Sequence, residues 1–253
     1  MTAFRFLKSH PLAMQADFEH VLVLTYAVEE QKLRPLTAPG LILDTYENWG
    51  FLAIAMVQTR NMRPRFAPRL MGRDFFLTGY RIFTRYRTRS GKLLRGLRIL
   101  RSDTDSEFMV RWGNRLTHYS YRKADVDYRT GDGLLEVKID TPAADADLHV
   151  RAHLASGSAP LPEGSPFPSV QVARKFAGPL PFTFDYEEET NSILRIQGVR
   201  QGWKPETVRV EVLRNSFIER EPFAGAHPIL ASAFHLSDIP YRWERGVREA
   251  VTA

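Results

Sequence analysis

The chain has 253 residues, of which 43% are apolar and 25% are charged, with a formal net charge of +6 and no cysteine. This length can bury a sizeable core, so we expect residues 1–253 to form a single domain. The lack of cysteine excludes disulfides, thiolate metal sites and a cysteine nucleophile, and the positive charge favours anionic partners.

The N-terminal residues do not resemble a signal peptide. Asp17, Glu19 and two histidines precede the first apolar run, and that run, "VLVLTYAV", is too short to cross a bilayer. We therefore expect a cytoplasmic protein that does not contact membranes.

The next elements are predicted to be mostly strands. "VLVLTYAV" leads into a short helix from Glu29 to Leu36, which Pro39 and Gly40 stop. "WGFLAIAMVQT" is a nearly continuous apolar run, as in a strand that is covered on both faces. The arginine-rich and proline-containing stretch from Arg60 to Arg73 has no clean period and predicts a surface loop.

The segment "GYRIFTRYRTRSGKLLRGLRILRSD" predicts a β-hairpin. A two-residue turn at Ser90-Gly91 would place Arg85 opposite Gly96, and Phe83 opposite Arg98. Alternation then puts Arg81, Arg85 and Arg98 on one face of the hairpin. This face is either solvated, with arginine stems covering apolar neighbours, or it lines a cavity that binds a carboxylate or phosphate. Gly96 favours the cavity slightly, because a strand glycine often marks room for a ligand or a bend.

Strand patterns continue through the rest of the chain. They include "FMVRW", "NRLTHYSYRKADVDYR", "GLLEVKID", "HVRAHLA", "VQVARKFAGPLPFTFDYEEE", "SILRIQGVR" and "TVRVEVL". "SGSAPLPEGSPFPS" predicts a surface loop. The pattern as a whole indicates a mainly β fold with few helices.

Familiar catalytic and cofactor motifs are missing from the sequence. It has no nucleophile elbow, phosphate-binding loop, HExxH helix, calcium loop or dinucleotide fingerprint. His149 and His153 share a face but have no third ligand nearby. We predict no metal and no cofactor.

The run "RWGNRLTHYSYRKADV", Arg111 to Val126, gathers several groups that could carry chemistry. As a strand, it would place Arg115, Tyr121 and Lys123 on one face and His118 and Arg122 on the other. A lysine nucleophile needs a neutral amine, which a dry pocket or a nearby cation can provide. Arg122 is the nearest cation, but neighbouring strand residues point in opposite directions.

Four stretches together resemble the uncharacterised YqjF-like bacterial family: "NWGFLAIAMVQTRNMRP", the hairpin, "GNRLTHYSYRKADV" and "PFPSVQVARKFAGPLPFTFDYE". That family is placed near acetoacetate decarboxylase in fold. The resemblance spans roughly Leu22 to Trp243. It implies an acetoacetate-decarboxylase-like fold, mainly β (α+β), with an antiparallel barrel, a central cavity and a few peripheral helices.

Acetoacetate decarboxylase uses a Schiff-base lysine next to a second lysine, in a Pro-Lys-Lys run. By this resemblance Tyr121, Arg122 and Lys123 stand in the place of that run. The nucleophile position is then an arginine, which never provides a neutral amine near pH 7. Lys123 stays as the candidate nucleophile if the match to the Pro-Lys-Lys run is shifted by one residue, or if this branch of the family has its nucleophile at the next position.

We therefore expect the barrel cavity to bind a small anionic, carboxylated metabolite. One alternative is a Schiff-base decarboxylase or lyase that uses Lys123. The other is a basic interaction protein for nucleic acid or an acidic partner, although the spread of the arginines argues against nucleic acid. Self-association through exposed strands is compatible with such a barrel. The expected ligand-binding residues are Arg81, Arg85, Arg98, Arg115, His118, Tyr121 and Arg122.

Overall fold

A computed structural model describes residues 8–154, 159–178 and 180–251. These residues form two β-sheets and a few short helices. The strands are β1 Met14–Glu29, β2 Leu41–Leu43, β3 Trp49–Pro64, β4 Arg73–Arg87, β5 Leu93–Thr104, β6 Tyr121–Lys123, β7 Asp125–Gly131, β8 Leu134–Asp140, β9 Leu148–His153, β10 Phe182–Glu187, β11 Ser192–Arg200, β12 Glu206–Thr207, β13 Arg209–Asn215, β14 Ile229–Trp243 and β15 Val247–Ala250. The helices are α1 Glu30–Leu33, α2 Asn114–Leu116 and α3 Val170–Ala177, with 3₁₀ turns at Arg34–Leu36, Arg69–Met71 and Glu188–Thr190 and a π-helix at Met109–Gly113.

The larger sheet curls into a barrel. Seven strands pair around the ring in the order β1, β3, β4, β5, β10, β11 and β14, and β14 pairs again with β1. The seam between β11 and β14 has only three residue pairs, from Gly198–Trp243 to Arg200–Tyr241. The mainly β, barrel-like fold predicted from the sequence is confirmed. It is not wholly antiparallel, because β5 runs parallel to both β10 and β6.

The smaller sheet packs against the outside of the barrel. It is antiparallel, in the order β13, β9, β8, β7. Alternate residues of β1, β3 and β4, such as Leu24, Ile54 and Tyr80, form one buried cluster with Val137 and Val150 of this sheet. The intervening residues face the barrel interior. The run "WGFLAIAMVQT" is therefore apolar throughout because both faces of β3 are covered, as predicted.

The β4–β5 hairpin has a different register from the predicted one. Arg85 pairs with Arg95 and Phe83 with Leu97, one residue away from the expected partners. The turn is a three-residue loop in which Gly91 N donates to Thr88 O and Gly91 has φ +82°. A type I turn followed by a left-handed glycine gives this loop, which a two-residue turn at Ser90-Gly91 does not. Arg98 thus lies on the opposite face of the hairpin from Arg81.

A β-bulge in β5 positions the cavity-facing residues of the hairpin. Tyr80 pairs with Arg101 and Arg81 pairs with Ile99, so Leu100 has no partner in β4. Because the extra residue reverses the alternation, Ile99 and Ser102 both face the barrel interior. Arg101 is turned to the other face, where it pairs with Asp103 and Asp145.

Two segments predicted as strands are helical. Residues 107–116 form a continuous helical stretch that includes the π-helix and α2, so the strand expected from Arg111 begins only at Tyr121. Met109 and Gly113, four residues apart, are its buried residues. In the second segment, α3 begins after Ser169, whose hydroxyl accepts from Val172 N, and it buries Ala173 and Ala177. Residues four apart share a face of a strand as well as of a helix, so the apolar pattern did not exclude a strand, and in the second segment the Ser169 N-cap favours the helix.

Helix α3 covers one end of the barrel. Phe176 contacts Phe51 and Phe83 of the barrel wall, with ring centroids 5.1 and 6.1 Å away. Phe167 stacks on Phe51 at 5.1 Å from the loop before the helix. This loop was predicted at the surface, but Phe167 in it is buried; its residues 156–158 lie outside the described part. No helix within the described residues is long and apolar enough to span a bilayer.

Candidate ligand site

The barrel contains a cavity of about 120 Å³. Most of its wall is apolar and comes from strands β1, β3, β4, β5 and β14. Two arginines and three tyrosines also contribute to the wall. The arginines are Arg81 and Arg200, the tyrosines are Tyr119, Tyr121 and Tyr241, and Trp203 also lines the cavity.

Arg81 carries a positive charge into this cavity. The side chain is partly buried, with Nε enclosed by protein, and burial lowers the pKa of Arg81 while the hydroxyls of Tyr241, Tyr119 and Tyr121 act in the opposite direction. Nε has no hydrogen-bond partner, and Arg81 makes no ion pair with any acid in the described chain. Arginine remains protonated in proteins, so the cavity holds an uncompensated positive charge.

Arg200 adds a second guanidinium at the end of β11. Burial lowers the pKa of Arg200, and the charge of Arg81 lowers it further, while Tyr241 raises it. The Arg200 guanidinium lies 4.6 Å from the centre of the Trp203 ring. Among the described residues no carboxylate pairs with Arg200 either. Two like charges that disfavour each other therefore border one cavity.

The tyrosines supply neutral hydroxyls. Burial raises the pKa of Tyr119 and of Tyr121 well above the ordinary value for tyrosine, so both are protonated at neutral pH. The Tyr119 hydroxyl makes no hydrogen bond of good geometry to a described residue, although the Thr183 side chain interacts with it. A protonated hydroxyl in this position can donate to an anion.

A polar pocket of about 270 Å³ adjoins the cavity at the barrel seam. Arg200 and Tyr241 line both spaces, and Arg63, Arg242 and Asp17 line the outer pocket. Arg242 pairs with Glu244, so among the described residues Arg63 and Arg200 are the pocket arginines that an anion would meet without an acidic partner.

Of the predicted ligand-binding residues, Arg81 and Tyr121 line the cavity and the others do not. Arg85 and Arg95 instead bind Asp44, a fully buried carboxylate between β2 and β3. Arg95 Nε lies 2.6 Å from Asp44 Oδ2, and its guanidinium also donates to Phe176 O. Because Asp44 is buried, it needs both cations, and Arg85 is not free to bind a ligand.

Arg98 and His118 also lie elsewhere. The one-residue change in hairpin register turns Arg98 away from the cavity, and it donates to the Leu36 carbonyl. His118 lies between two carboxylates, with Nε2 3.1 Å from Glu187 Oε1 and Nδ1 3.6 Å from Asp185 Oδ2. Both side chains thus have protein partners outside the barrel interior.

The remaining candidates face away from the cavity, Arg115 in helix α2 and Arg122 and Lys123 in the short strand β6. Arg115 lies 5.2 Å from the centre of the Trp112 ring. Arg122 Nη1 is 3.3 Å from Asp145 Oδ2. Lys123 Nζ donates to the Asp105 carbonyl at 2.9 Å. No lysine lines the cavity among the described residues, so a Schiff base has no amine there.

Two strand glycines lie against cavity residues, namely Arg81, which was predicted, and Tyr241, which was not. A Cβ at Gly79 would lie 2.6 Å from Arg81 Nε, and one at Gly198 would lie 1.9 Å from the Tyr241 hydroxyl oxygen. Strand glycines mark close approach of other groups. Gly96, which was interpreted as room for a ligand, instead admits strand β10, since its Cβ would lie 2.5 Å from Phe182 O.

The described chain contains no group of three or more histidine, aspartate or glutamate side chains arranged to hold a metal ion. The cavity chemistry therefore consists of guanidinium groups, phenol hydroxyls and apolar walls.

Solved structures with the same fold are acetoacetate decarboxylases and related enzymes. Acetoacetate decarboxylase from Legionella pneumophila superposes with a TM-score of 0.65 at 11% identity, covering 95% of this chain and 88% of that one. An acetoacetate decarboxylase-like enzyme from Sphingomonas wittichii RW1 gives 0.60 at 11%, covering 96% and 94%. The enduracididine biosynthesis enzyme MppR complexed with pyruvate gives 0.60 at 10%, covering 96% and 92%. These similarities define the fold as acetoacetate-decarboxylase-like.

The family follows from the sequence. Residues 15–239 match the model of the DUF2071 family, described as an uncharacterized conserved protein, and the chain belongs to this family. The YqjF-like resemblance is thereby confirmed. Comparison with curated protein sequences gives no match.

Proposed function

We propose that this protein binds a small organic anion, a short-chain carboxylate, inside the barrel. The observation that carries the proposal is the Arg81 guanidinium, which lies in the cavity without an acidic partner. An isolated buried charge is costly, and pairing it with a carboxylate offsets that cost. A bound carboxylate would also relieve the repulsion between Arg81 and Arg200.

The cavity size supports a short ligand. An apolar cavity of about 150 Å³ accommodates benzene, so about 120 Å³ suits an acid with roughly four to six non-hydrogen atoms. Arg81 would bind the carboxylate, and the Tyr119 hydroxyl would donate a further hydrogen bond. Apolar residues such as Val23, Ala55 and Phe83 would contact the rest of the molecule. Such walls favour an organic acid over inorganic phosphate.

The fold neighbours indicate which acids to test first. One is complexed with pyruvate, and the others are acetoacetate decarboxylases or similar enzymes. Short 2-keto and 3-keto acids are therefore the first ligands to examine. Without a lysine in the described cavity wall, we propose binding of such an acid and no Schiff-base step.

The test is calorimetric titration of the protein with pyruvate, acetoacetate, butyrate and phosphate. Arg81→Met should weaken binding of the preferred acid at least tenfold, about 1.4 kcal/mol. Arg111→Met is the matched control, because Arg111 is exposed and does not line the cavity. Equal affinity of the Arg81→Met variant and the wild type would contradict the proposal.

A second experiment tests the alternative that this is a basic interaction protein for nucleic acid. Titration with arbitrary duplex DNA at two salt concentrations would give strongly salt-dependent affinity if nucleic acid were the partner. We expect no such binding at physiological ionic strength. A cytoplasmic location and self-association stay predictions, which cell fractionation and sedimentation of the native protein would test.

A further inference from the structure

A second and larger cavity, of about 450 Å³, lies between the start of β1, the end of β3 and the helical segment 107–116. Four of the six methionines in the chain line it: Met14, Met62, Met71 and Met109. We call it the methionine pocket. Its volume falls within the range of small-molecule sites, roughly 300–1,000 Å³, and unbranched thioether side chains adapt to irregular apolar ligands.

The mouth of the methionine pocket exposes large apolar side chains. Met71 is 63% exposed, Trp112 is 45% exposed and Phe108 is 39% exposed, and all three line the pocket. An exposed apolar surface that leads into an apolar cavity indicates a binding site for an apolar ligand.

Two arginines give the pocket a positive charge. Arg73 is exposed, and its guanidinium lies 4.1 Å above the centre of the Phe108 ring. Arg63 donates to the Asn61 carbonyl at 2.8 Å. Neither arginine pairs with an acid in the described residues, and no aspartate or glutamate lines the pocket. The ligand that fits has an apolar chain and an anionic head.

We propose that the methionine pocket binds an amphiphilic carboxylate, with its chain among the methionines and its carboxylate at Arg73 and Arg63. This ligand differs from the short acid of the barrel cavity, which is too small for such a chain. The rings of Tyr119 and Tyr121 border both spaces. The two sites are neighbours with a common aromatic wall. Arg63 also lines the outer pocket at the barrel seam, whereas Arg73 lines the methionine pocket alone.

The first test is calorimetric titration with decanoate below its micellar concentration. We expect saturable binding of one molecule per chain. Met71→Glu places a like charge in the exposed mouth and should weaken decanoate binding at least tenfold. Leu70→Glu is the matched control, because Leu70 is the preceding residue, is 96% exposed and does not line the pocket. Equal losses in the two variants would overturn the proposal.

The second test separates the head from the chain. Arg73→Gln should weaken decanoate at least fivefold and leave decanol unchanged, since decanol has no charge to pair. Arg81→Met should leave decanoate unchanged, which also makes this result independent of the function proposed for the barrel. Loss of decanoate binding in Arg81→Met would place the ligand in the barrel and overturn the inference.

Two other outcomes would also overturn it. Binding to anionic phospholipid vesicles without any binding of free decanoate would identify a lipid surface as the partner. An oligomer that Met71→Glu converts to a monomer, again without decanoate binding, would identify this face as an interface between copies of the chain.

Discussion

The guanidinium of Arg81 occupies the space that a side chain at residue 79 would take. A Cβ on Gly79 would lie 2.6 Å from Arg81 Nε and 2.7 Å from one terminal nitrogen. The two residues are neighbours on the cavity face of β4. Glycine at position 79 therefore allows the arginine head to lie against its own strand inside the barrel.

We expect Gly79→Ala to displace the Arg81 guanidinium without removing its charge. Binding of the short acid should weaken about tenfold, because the new methyl group takes the place of the arginine head. Titration calorimetry measures this effect. Gly131→Ala is the control, since a Cβ there meets nothing within 4 Å, and it should bind as the wild type does. Unchanged affinity in Gly79→Ala would show that the observed position of Arg81 is not needed for binding.

Arg85 should matter for stability and not for the ligand. Asp44 is fully buried, and Arg85→Met would leave it with Arg95 as its remaining cationic partner. We expect a loss of about 2 kcal/mol in the free energy of unfolding, measured in urea, with acid affinity unchanged. Arg87→Met, on the same strand face but exposed, should have little effect on either quantity. A loss of acid binding in a folded Arg85→Met variant would show that Arg85 contributes to ligand binding, as first predicted.

Lys123 should not form a Schiff base. Its amine donates to the Asp105 carbonyl outside the barrel. Incubation with pyruvate or acetoacetate followed by borohydride reduction should leave the protein mass unchanged, and Lys123→Ala should bind the acid with wild-type affinity. A reduced adduct on Lys123 in the mass spectrum would restore the decarboxylase or lyase hypothesis.

Acid should destabilise the protein through His10. Burial lowers the pKa of His10 from 6.5 to about 4, so below pH 6.5 the unfolded chain takes up a proton that the folded protein resists. Between pH 7 and pH 4 this difference removes up to about 3 kcal/mol of stability. The free energy of unfolding of a His10→Asn variant should depend less steeply on pH over this range, whereas His227→Asn, at an exposed histidine, should match the wild type. Equal pH dependence in all three proteins would rule out this role for His10.

Local sequence patterns were enough to predict the barrel walls. The apolar run of β3 and the alternation of β4 depend on which face each residue presents, and that is a property of neighbouring residues. The same alternation selected Arg81. It could not separate Arg81 from Arg85, because the difference depends on Asp44, more than 30 residues earlier in the chain.

The rest of the site depends on long-range pairing. Arg200 and Tyr241 enter the cavity because β11 meets β14 at the seam, and neither strand carries a local signal for that contact.

The predicted strand from Arg111 was wrong for a local reason. Arg115 and Leu116 belong to a short helical stretch that buries Met109 and Gly113, and the aromatic residues after it suggested a longer strand.

The three-pair seam also affects how fast a ligand can exchange. The β1–β3 and β1–β14 ladders extend over most of their strands, whereas β11 and β14 meet only at Gly198–Arg200. Separating these few pairs would cost less than opening any long ladder. The β5–β10 contact is equally short, but the gap between β11 and β14 would lie between the outer pocket and Arg81. We therefore expect the residence time of the bound acid to follow the opening rate of this seam, with the amide hydrogens of Val199 and Arg200 exchanging faster in the free protein than in the complex.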